Sequence, residues 1–313
     1  MNEKREITVT SVNISELKGT IKTPVSAIEL DYLGVKRDAH AGVWHRQVSM
    51  LASESIRGFQ GKLGREIKCG EFGENITTEG MLLFHCHPLD RFSNHDIELE
   101  VTQIGKKCHG DGCEIFQKVG TCVMPQEGIF CRVIKGGTLK PGNKLTYSPK
   151  QYKIAIITLS DRASSGIYED LSGPAITKSI SEYYSSQNKP FLIDNSLIPD
   201  SEQLLKATVE TYVQEGYDLI FTTGGTGISS KDITPDVLMP LFDREIPGIM
   251  DAIRMKFGIQ KPQALISRSV AGVMGNTLVF ALPGSVRAVN EYIGEITPHL
   301  NHLFLMLNNI DSH

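Results

Sequence analysis

Apolar and polar positions follow different rules in the two halves of this chain. From residue 153 onward, short unbroken apolar runs alternate with stretches whose leucine, valine and tyrosine recur at helical spacing. The runs 153–160 (KIAIITLS), 219–221 and 277–282 read as buried strands, and 191–198 has strand character. Between them the spacing predicts helices from a Ser172 cap through Tyr184 with Pro174 in the first turn, over 201–214, from Thr234, over about 246–257 and over 285–307. Strands alternating with helices imply a mainly parallel sheet covered on both faces, an α/β three-layer sandwich. Residues 7–14, 25–32, 97–104 and 129–147 instead show alternating or β-branched runs broken by glycine. The single helix expected there is short, around 53–59, and 136–145 (GGTLKPGNKL) reads as a turn feeding a strand. The first half is therefore expected to be β-rich and barrel-like, giving a multi-domain chain with domains at 1–149 and 152–313. Its boundary falls in the polar, Pro149-containing stretch 146–152.

Composition sharpens this division. At 313 residues the chain exceeds one typical domain of roughly 150. Residues 1–150 carry 20 basic and 18 acidic side chains and 151–313 carry 12 and 18, so the halves differ in sign while the whole is −4. That balance leaves no strong field for nucleic acid or acidic membranes. The N-terminus MNEKREITVT lacks the apolar core of a secretory signal, and no apolar stretch approaches the roughly 20 residues of a membrane span, so a cytoplasmic protein is expected. All six cysteines, Cys69, Cys86, Cys108, Cys113, Cys122 and Cys131, lie in the first 131 residues. In a reducing compartment they are free thiols or metal ligands. Their spacings match no zinc ribbon or finger, and buried inert thiols are the plain expectation for Cys69, Cys122 and Cys131.

The most chemically informative segment is 217–236 (YDLIFTTGGTGISSKDITPD). An apolar strand runs into Gly224, Gly225 and Gly227, which allow positive backbone dihedrals and leave amide N–H groups bare toward an approaching phosphate or carboxylate. Thr234 as N-cap, Pro235 and Asp236 then spell a helix start. Ligands of parallel sheets sit beyond the carboxyl ends of the strands. Four loops at those ends carry candidate residues: Ser160, Asp161 and Arg162; Pro199 and Asp200; Thr222 through Asp232; and Pro283, Gly284 and Ser285. Asp161 and Asp200 could equally serve as helix caps or solvated loop residues.

TLSDRASSG, SLIPD, TTGGTGISSKDITPD and ALISRSVAGVMGNTLVFALPG together resemble the molybdopterin adenylyltransferase family of molybdenum cofactor biosynthesis, over about 152–313. The resemblance implies a usually trimeric three-layer sandwich that binds molybdopterin and uses ATP and Mg²⁺ to transfer AMP to its terminal phosphate. Asp200 and Asp232 match the family's two catalytic carboxylates and are expected to position Mg²⁺. Amides from Thr223, Gly224, Gly225, Thr226 and Gly227 are expected to hold a phosphate, and Ser267 matches a serine implicated in pterin binding. Ser160, Asp161, Pro283, Gly284 and Ser285 complete the substrate-binding set. Lys231 stands where arginine is common, which keeps the charge but loses the bidentate fork.

LKGTIKTPV, GVKRDAHAG, GEFGENITTEG, TQIGKKCH and GIFCRVIKGGTLKPGNKL resemble the MOSC domain family, over about 5–148. This implies a barrel-like domain whose cysteine carries sulfur or contacts molybdenum or its pterin. Cys108, after Gly105, Lys106 and Lys107, matches the motif cysteine, with Cys113 in reserve; adjacent ammonium groups favour the thiolate. Asp38, His40, Arg46 and Asn75 are expected to line the same pocket. Expected partners are molybdopterin, ATP, other cofactor-biosynthesis proteins and further copies of the chain, with no nucleic acid or membrane. Two other readings stand beside the enzyme: a non-catalytic cofactor carrier, and a MOSC-type reductase of N-hydroxylated compounds.

Overall fold

The computed structural model describes residues 3–107 and 122–310. Two compact units divide at Lys150 and Gln151.

In the first unit seven strands close on themselves. β1 (Arg5–Ile14), β6 (Ile76–Glu79), β5 (Val48–Ala52), β9 (Ile129–Lys135), β8 (Glu98–Ile104), β7 (Arg91–Ser93) and β11 (Lys144–Ser148) are hydrogen-bonded in that order, and β11 returns to β1. Only β5 and β6 are parallel; the other neighbours run antiparallel. β2 (Thr23–Val25) extends β1 beyond the barrel, while β3 (Ile28–Asp31), β4 (Gly34–Val35) and β10 (Gly137–Leu139) form a small separate sheet. Closure removes the strand edges, and the alternating apolar positions point into one core of Ile7, Val9, Met50, Ile76, Phe92, Leu99, Val101, Ile129, Leu145 and Tyr147. Cys131 lies in that core with its Sγ 3.6 Å from Met50 Sδ, and burial pushes both its thiol and that of Cys86 far up. Cys69 and Cys122 are only partly buried, so inertness by burial holds for Cys131 and Cys86 rather than for those two. Helix α1 (Ser53–Leu63) runs a turn beyond the expected 53–59 and stops at Gly64, whose φ is +68°. A short α2 (Met124–Glu127) leads into β9.

The second unit is a three-layer sandwich. Its sheet order is β13 (Phe191–Ile198), β12 (Tyr152–Leu159), β14 (Leu219–Thr223), β17 (Thr277–Leu282), β16 (Ala271–Met274), β15 (Arg244–Glu245); the first four are parallel. β15 and β16 add antiparallel strands that periodicity could not detect, because two and four residues are too short to show a period. Gly275 and Asn276 between paired Met274 and Thr277 are the local hairpin signal.

Two helices, α4 (Ser172–Ser186) and α8 (Val286–Leu307), pack on one another against one face, with Tyr184, Tyr152 and Phe304 in ring contact. On the opposite face Leu205 and Val209 of α5 (Glu202–Gln214) and Leu238 of α6 (Thr234–Leu238) pack with Ala155, Ile157, Ile220 and Val279. α7 (Pro247–Gly258) precedes β16, and a single turn α3 (Asp161–Ser164) follows β12. Ser172 is the first helical residue of α4 rather than its cap; the Asp170 carboxylate accepts the N–H groups of Ser172 and Gly173 at 2.9 and 3.1 Å. Among the described residues no helix is long and apolar enough to cross a membrane.

Candidate functional site

The carboxyl ends of β12, β13, β14 and β17 lie side by side, so the four loops expected to carry chemistry leave the same edge of the sheet. Two of them are tied by reciprocal bonds. The amide of Asp161 donates to Asp200 Oδ2 at 3.1 Å, and the amide of Asp200 donates to Asp161 Oδ1 at 3.1 Å. The third loop reaches them through Lys231 Nζ, 3.3 Å from Asp161 Oδ2. The Asp200 amide first and Lys231 second hold the Asp161 carboxyl below its ordinary range. Two carboxylates can share this spot because each is answered by an amide and one of them by a cation.

The glycine loop follows β14. Gly224 and Gly225 have φ of +102° and +62°, and an added Cβ would lie 2.3 Å from Leu159 O and 2.6 Å from Thr234 Oγ1 respectively. Side chains at either position would fill the turn. Thr234 does not cap its helix as its sequence position suggested. It is the first residue of α6, fully buried, and its hydroxyl donates back to Gly224 O at 2.8 Å while its amide donates to Gly225 O at 3.0 Å. The fourth loop joins here: Thr223 Oγ1 donates to Pro283 O at 2.9 Å, and Gly224 N donates to Leu282 O at 3.1 Å. The Thr223 amide lies within β14 and that of Gly224 is engaged, so these two are not bare donors. The amides of Gly225, Thr226, Gly227 and Ile228 find no acceptor among the described residues.

Asp232 folds back on this loop, its Oδ2 accepting the Ser229 amide at 2.8 Å and packing where a Cβ on Gly227 would stand 2.7 Å away. Contacts between Asp200 and Asp232 run through Asp161 and Lys231. The Oδ1 atoms of Asp200 and Asp232 have no hydrogen-bond partner among the described residues, which leaves two hard oxygen donors. Among the described residues no three His, Cys, Asp or Glu side chains cluster to hold a metal ion by themselves. A Mg²⁺ here would complete its shell with water and phosphate oxygens, as this ion ordinarily does.

Other expected residues are more modestly placed. Ser160 and Ser285 are N-caps, accepting the amides of Ala163 at 3.1 Å and Ala288 at 3.3 Å. Ser267 Oγ is 2.9 Å from Ser269 Oγ. A Cβ added at Gly284 would stand 3.3 Å from Gly224 Cα, a tight contact that would push the two loops apart slightly. Sequence reading missed Arg268, which bonds Gly227, Asp232 and Asp236 at once. Its only local signal was a cation between two serines.

A cavity of about 380 Å³ lies in the first unit. Its described lining includes Lys18, His40, Trp44, Arg46, Asn75 and Lys106 and contains no carboxylate. Arg46 lies 4.9 Å from the Trp44 ring, and its buried Nε has no partner among the described residues. Asp38 does not line the cavity. Its side chain is fully buried behind the wall in an ion pair with Lys22, and its Oδ1 is 3.4 Å from His40 Nδ1. Burial alone would raise the Asp38 carboxyl, but bonding to His40 and the Lys22 ammonium hold it far below its ordinary range. For Lys22 burial pulls the other way from Asp38 and prevails, lowering it from 10.5. Cys108 and Cys113 lie outside the described residues.

Together these features define a two-domain chain: an α/β sheet edge with acceptor-free amides beside carboxylates in one unit, and a cation-lined cavity in a β-barrel unit in the other. Residues 155–302 match the family described as "Probable molybdopterin binding domain", and residues 37–146 match the MOSC domain. A molybdopterin adenylyltransferase from Haemophilus influenzae is 35% identical over 140 residues, 44% of this chain and 70% of that protein. A molybdenum cofactor biosynthesis bifunctional protein from Chlorobaculum tepidum is 33% identical over 54% of this chain and 52% of its own length. A gephyrin from Dictyostelium discoideum is 32% identical over 51% of this chain, which spans 23% of it. This chain thus covers only part of the two longer relatives. It belongs to the molybdopterin-binding family of these adenylyltransferases through its second unit and carries a MOSC domain in its first.

Proposed function

We propose that this protein works in molybdenum cofactor biosynthesis and that its second unit transfers AMP from ATP to the terminal phosphate of molybdopterin. The observation that carries this reading is the row of four acceptor-free amides, Gly225 to Ile228, beside two carboxylates with unspent Oδ1 atoms at one sheet edge. In the reaction a phosphate oxygen of the pterin attacks the α-phosphorus of ATP. The new P–O bond replaces the bond to the β-phosphate oxygen, and pyrophosphate leaves with that electron pair. Both reactants are anions, so their approach requires positive partners that are already in place.

The amides supply fixed dipoles for one phosphate group, and Lys231 supplies a mobile ammonium that rests on Asp161. Asp200 and Asp232 would hold Mg²⁺, which neutralises phosphate charge when bound. Neither has to act as a base, because a phosphate oxygen near neutral pH is already ionised. The serine hydroxyls at 267 and 269 stand on the adjoining loop for the pterin.

For the first unit we propose that the cation-lined cavity receives the anionic pterin or its metal-loaded product, with Cys108, two residues after Lys106 in the sequence, as sulfur or molybdenum ligand. A covalent tether between two sites for one labile intermediate raises its effective concentration. Assembly as a homotrimer belongs to the same proposal.

The test is pyrophosphate release from ATP in the presence of molybdopterin. Asp232→Asn is expected to lower turnover by about 100-fold or more, on the order of 3 kcal/mol of barrel-independent transition-state stabilisation, with pterin binding largely intact by calorimetry. Unchanged turnover would remove the metal role, and no pyrophosphate from the unsubstituted protein would leave a carrier.

A further inference from the structure

Arg268 lies 32 residues beyond Asp236 and 41 beyond Gly227, yet it bonds to both. Its Nε donates to Gly227 O at 2.7 Å, its Nη2 to Asp232 O, and its Nη1 to the two Asp236 carboxylate oxygens at 2.8 and 2.9 Å. Its backbone amide donates to Thr226 O at 2.8 Å. In a trans peptide the C=O and the following N–H point in opposite directions. Anchoring the carbonyls of Thr226 and Gly227 on Arg268 therefore turns the amides of Gly227 and Ile228 the other way, and these are two of the four amides without an acceptor. The same guanidinium grips the backbone of Asp232, whose Oδ2 holds the Ser229 amide.

All three nitrogens of this guanidinium already donate to acceptors within the protein. It is thus poorly placed to bind the ligand itself and well placed to orient what does. The fork geometry matters, because one lysine ammonium cannot reach three diverging acceptors in fixed directions.

We propose that Arg268 is the positioning residue of the phosphate cradle, fixing the Gly227 and Ile228 amides and the Asp232 carboxylate in one arrangement and coupling them to the Ser267 loop. The inference rests on the reading that this edge binds phosphates, and it assigns the residue that preorganises that binding.

Arg268→Lys and Asp236→Asn are compared in the full chain by three measurements: AMP-transfer kinetics, affinity for magnesium pyrophosphate by calorimetry, and hydrogen exchange at the Ser229 amide, which reports the Asp232 carboxylate directly. Arg268→Lys is expected to lower kcat about tenfold with a smaller change in KM, to weaken pyrophosphate about fivefold, and to speed Ser229 exchange about tenfold, while melting cooperatively. Asp236→Asn, which removes only the exposed ion pair, should change each by less than about threefold. In Arg268→Ala, millimolar guanidinium should restore Ser229 protection and pyrophosphate affinity; that arm decides the matter if the lysine variant folds poorly.

Retention of all three properties within twofold in Arg268→Lys would overturn the proposal, as would failure of guanidinium to restore the alanine variant or absence of pyrophosphate binding by the unsubstituted protein. If the unsubstituted protein binds pyrophosphate but transfers no AMP, the adenylyltransfer reading falls while exchange and affinity still decide the role of Arg268.

Discussion

The sheet edge of the second unit and the cavity of the first each carry positive character, but they obtain it from different atoms. At the sheet edge it comes from backbone amides aimed by a glycine turn, with exposed charges such as Lys231 and Asp161 around it. In the barrel it comes from the side chains of Lys18, Arg46 and Lys106, brought together from distant positions, with a buried ion pair behind them. Amide dipoles keep their charge at every pH and need no desolvated ion, whereas a cavity of side chains depends on buried titratable groups being correctly matched. The first arrangement should therefore be robust in stability and sensitive in catalysis, and the second the reverse.

The largest effect that would sharpen this contrast is expected from Asp38→Asn. It leaves the fully buried Lys22 ammonium without its partner, which typically costs about 3–5 kcal/mol. Denaturant melting should show that loss, whereas the exposed Lys231→Gln should shift the midpoint hardly at all. Equal shifts for the two would break the comparison.

A smaller effect concerns pH. Glu74 is fully buried, and burial raises its carboxyl above 4.5 despite bonds from Gly70 N and Thr77 Oγ1. Its native form keeps a proton that the unfolded chain has lost, so this contribution is complete below pH 4.5 and fades as pH rises through the folded value. Glu74→Gln should flatten that decline, giving stability close to the parent at pH 5 and greater than the parent at pH 8. A parallel decline in both proteins would assign the pH dependence elsewhere. Asp161 has the opposite sign, since its lowered value contributes above 3.8 and is lost on acidification; its exposed position keeps it minor.

The smallest effect is at Ser285, whose hydroxyl caps α8. Ser285→Ala should cost about 1 kcal/mol. If AMP transfer falls by more than the melting curve explains, Ser285 also touches substrate.

How legible each region was follows from the same difference. The parallel strands and most helix limits of the second unit could be read because buried strands are continuous apolar runs and helices repeat every 3.6 residues. The glycine turn was legible because its positive-φ residues, Gly224 and Gly225, are adjacent in the chain. Thr234 was misread as a cap because a threonine before proline looks the same whether its hydroxyl serves its own helix or, as here, the carbonyl of Gly224. Asp38 was placed on the cavity wall with His40 through the GVKRDAHAG motif they share; His40 does line the cavity, but the fully buried ion pair with Lys22, sixteen residues away, holds Asp38 off the wall.

Sequence alone determined the two architectures and the glycine turn that follows β14, because each of these is encoded by local period or by residues adjacent in the chain. Tertiary structure alone decided which charges meet. The Asp161 and Asp200 exchange of amide bonds, the Lys22 and Asp38 pair and the grip of Arg268 on Gly227 and Asp232 join residues 16 to 41 positions apart. Such pairings depend on where the backbone turns, and a side chain's type does not state which of several possible partners the fold will bring within reach.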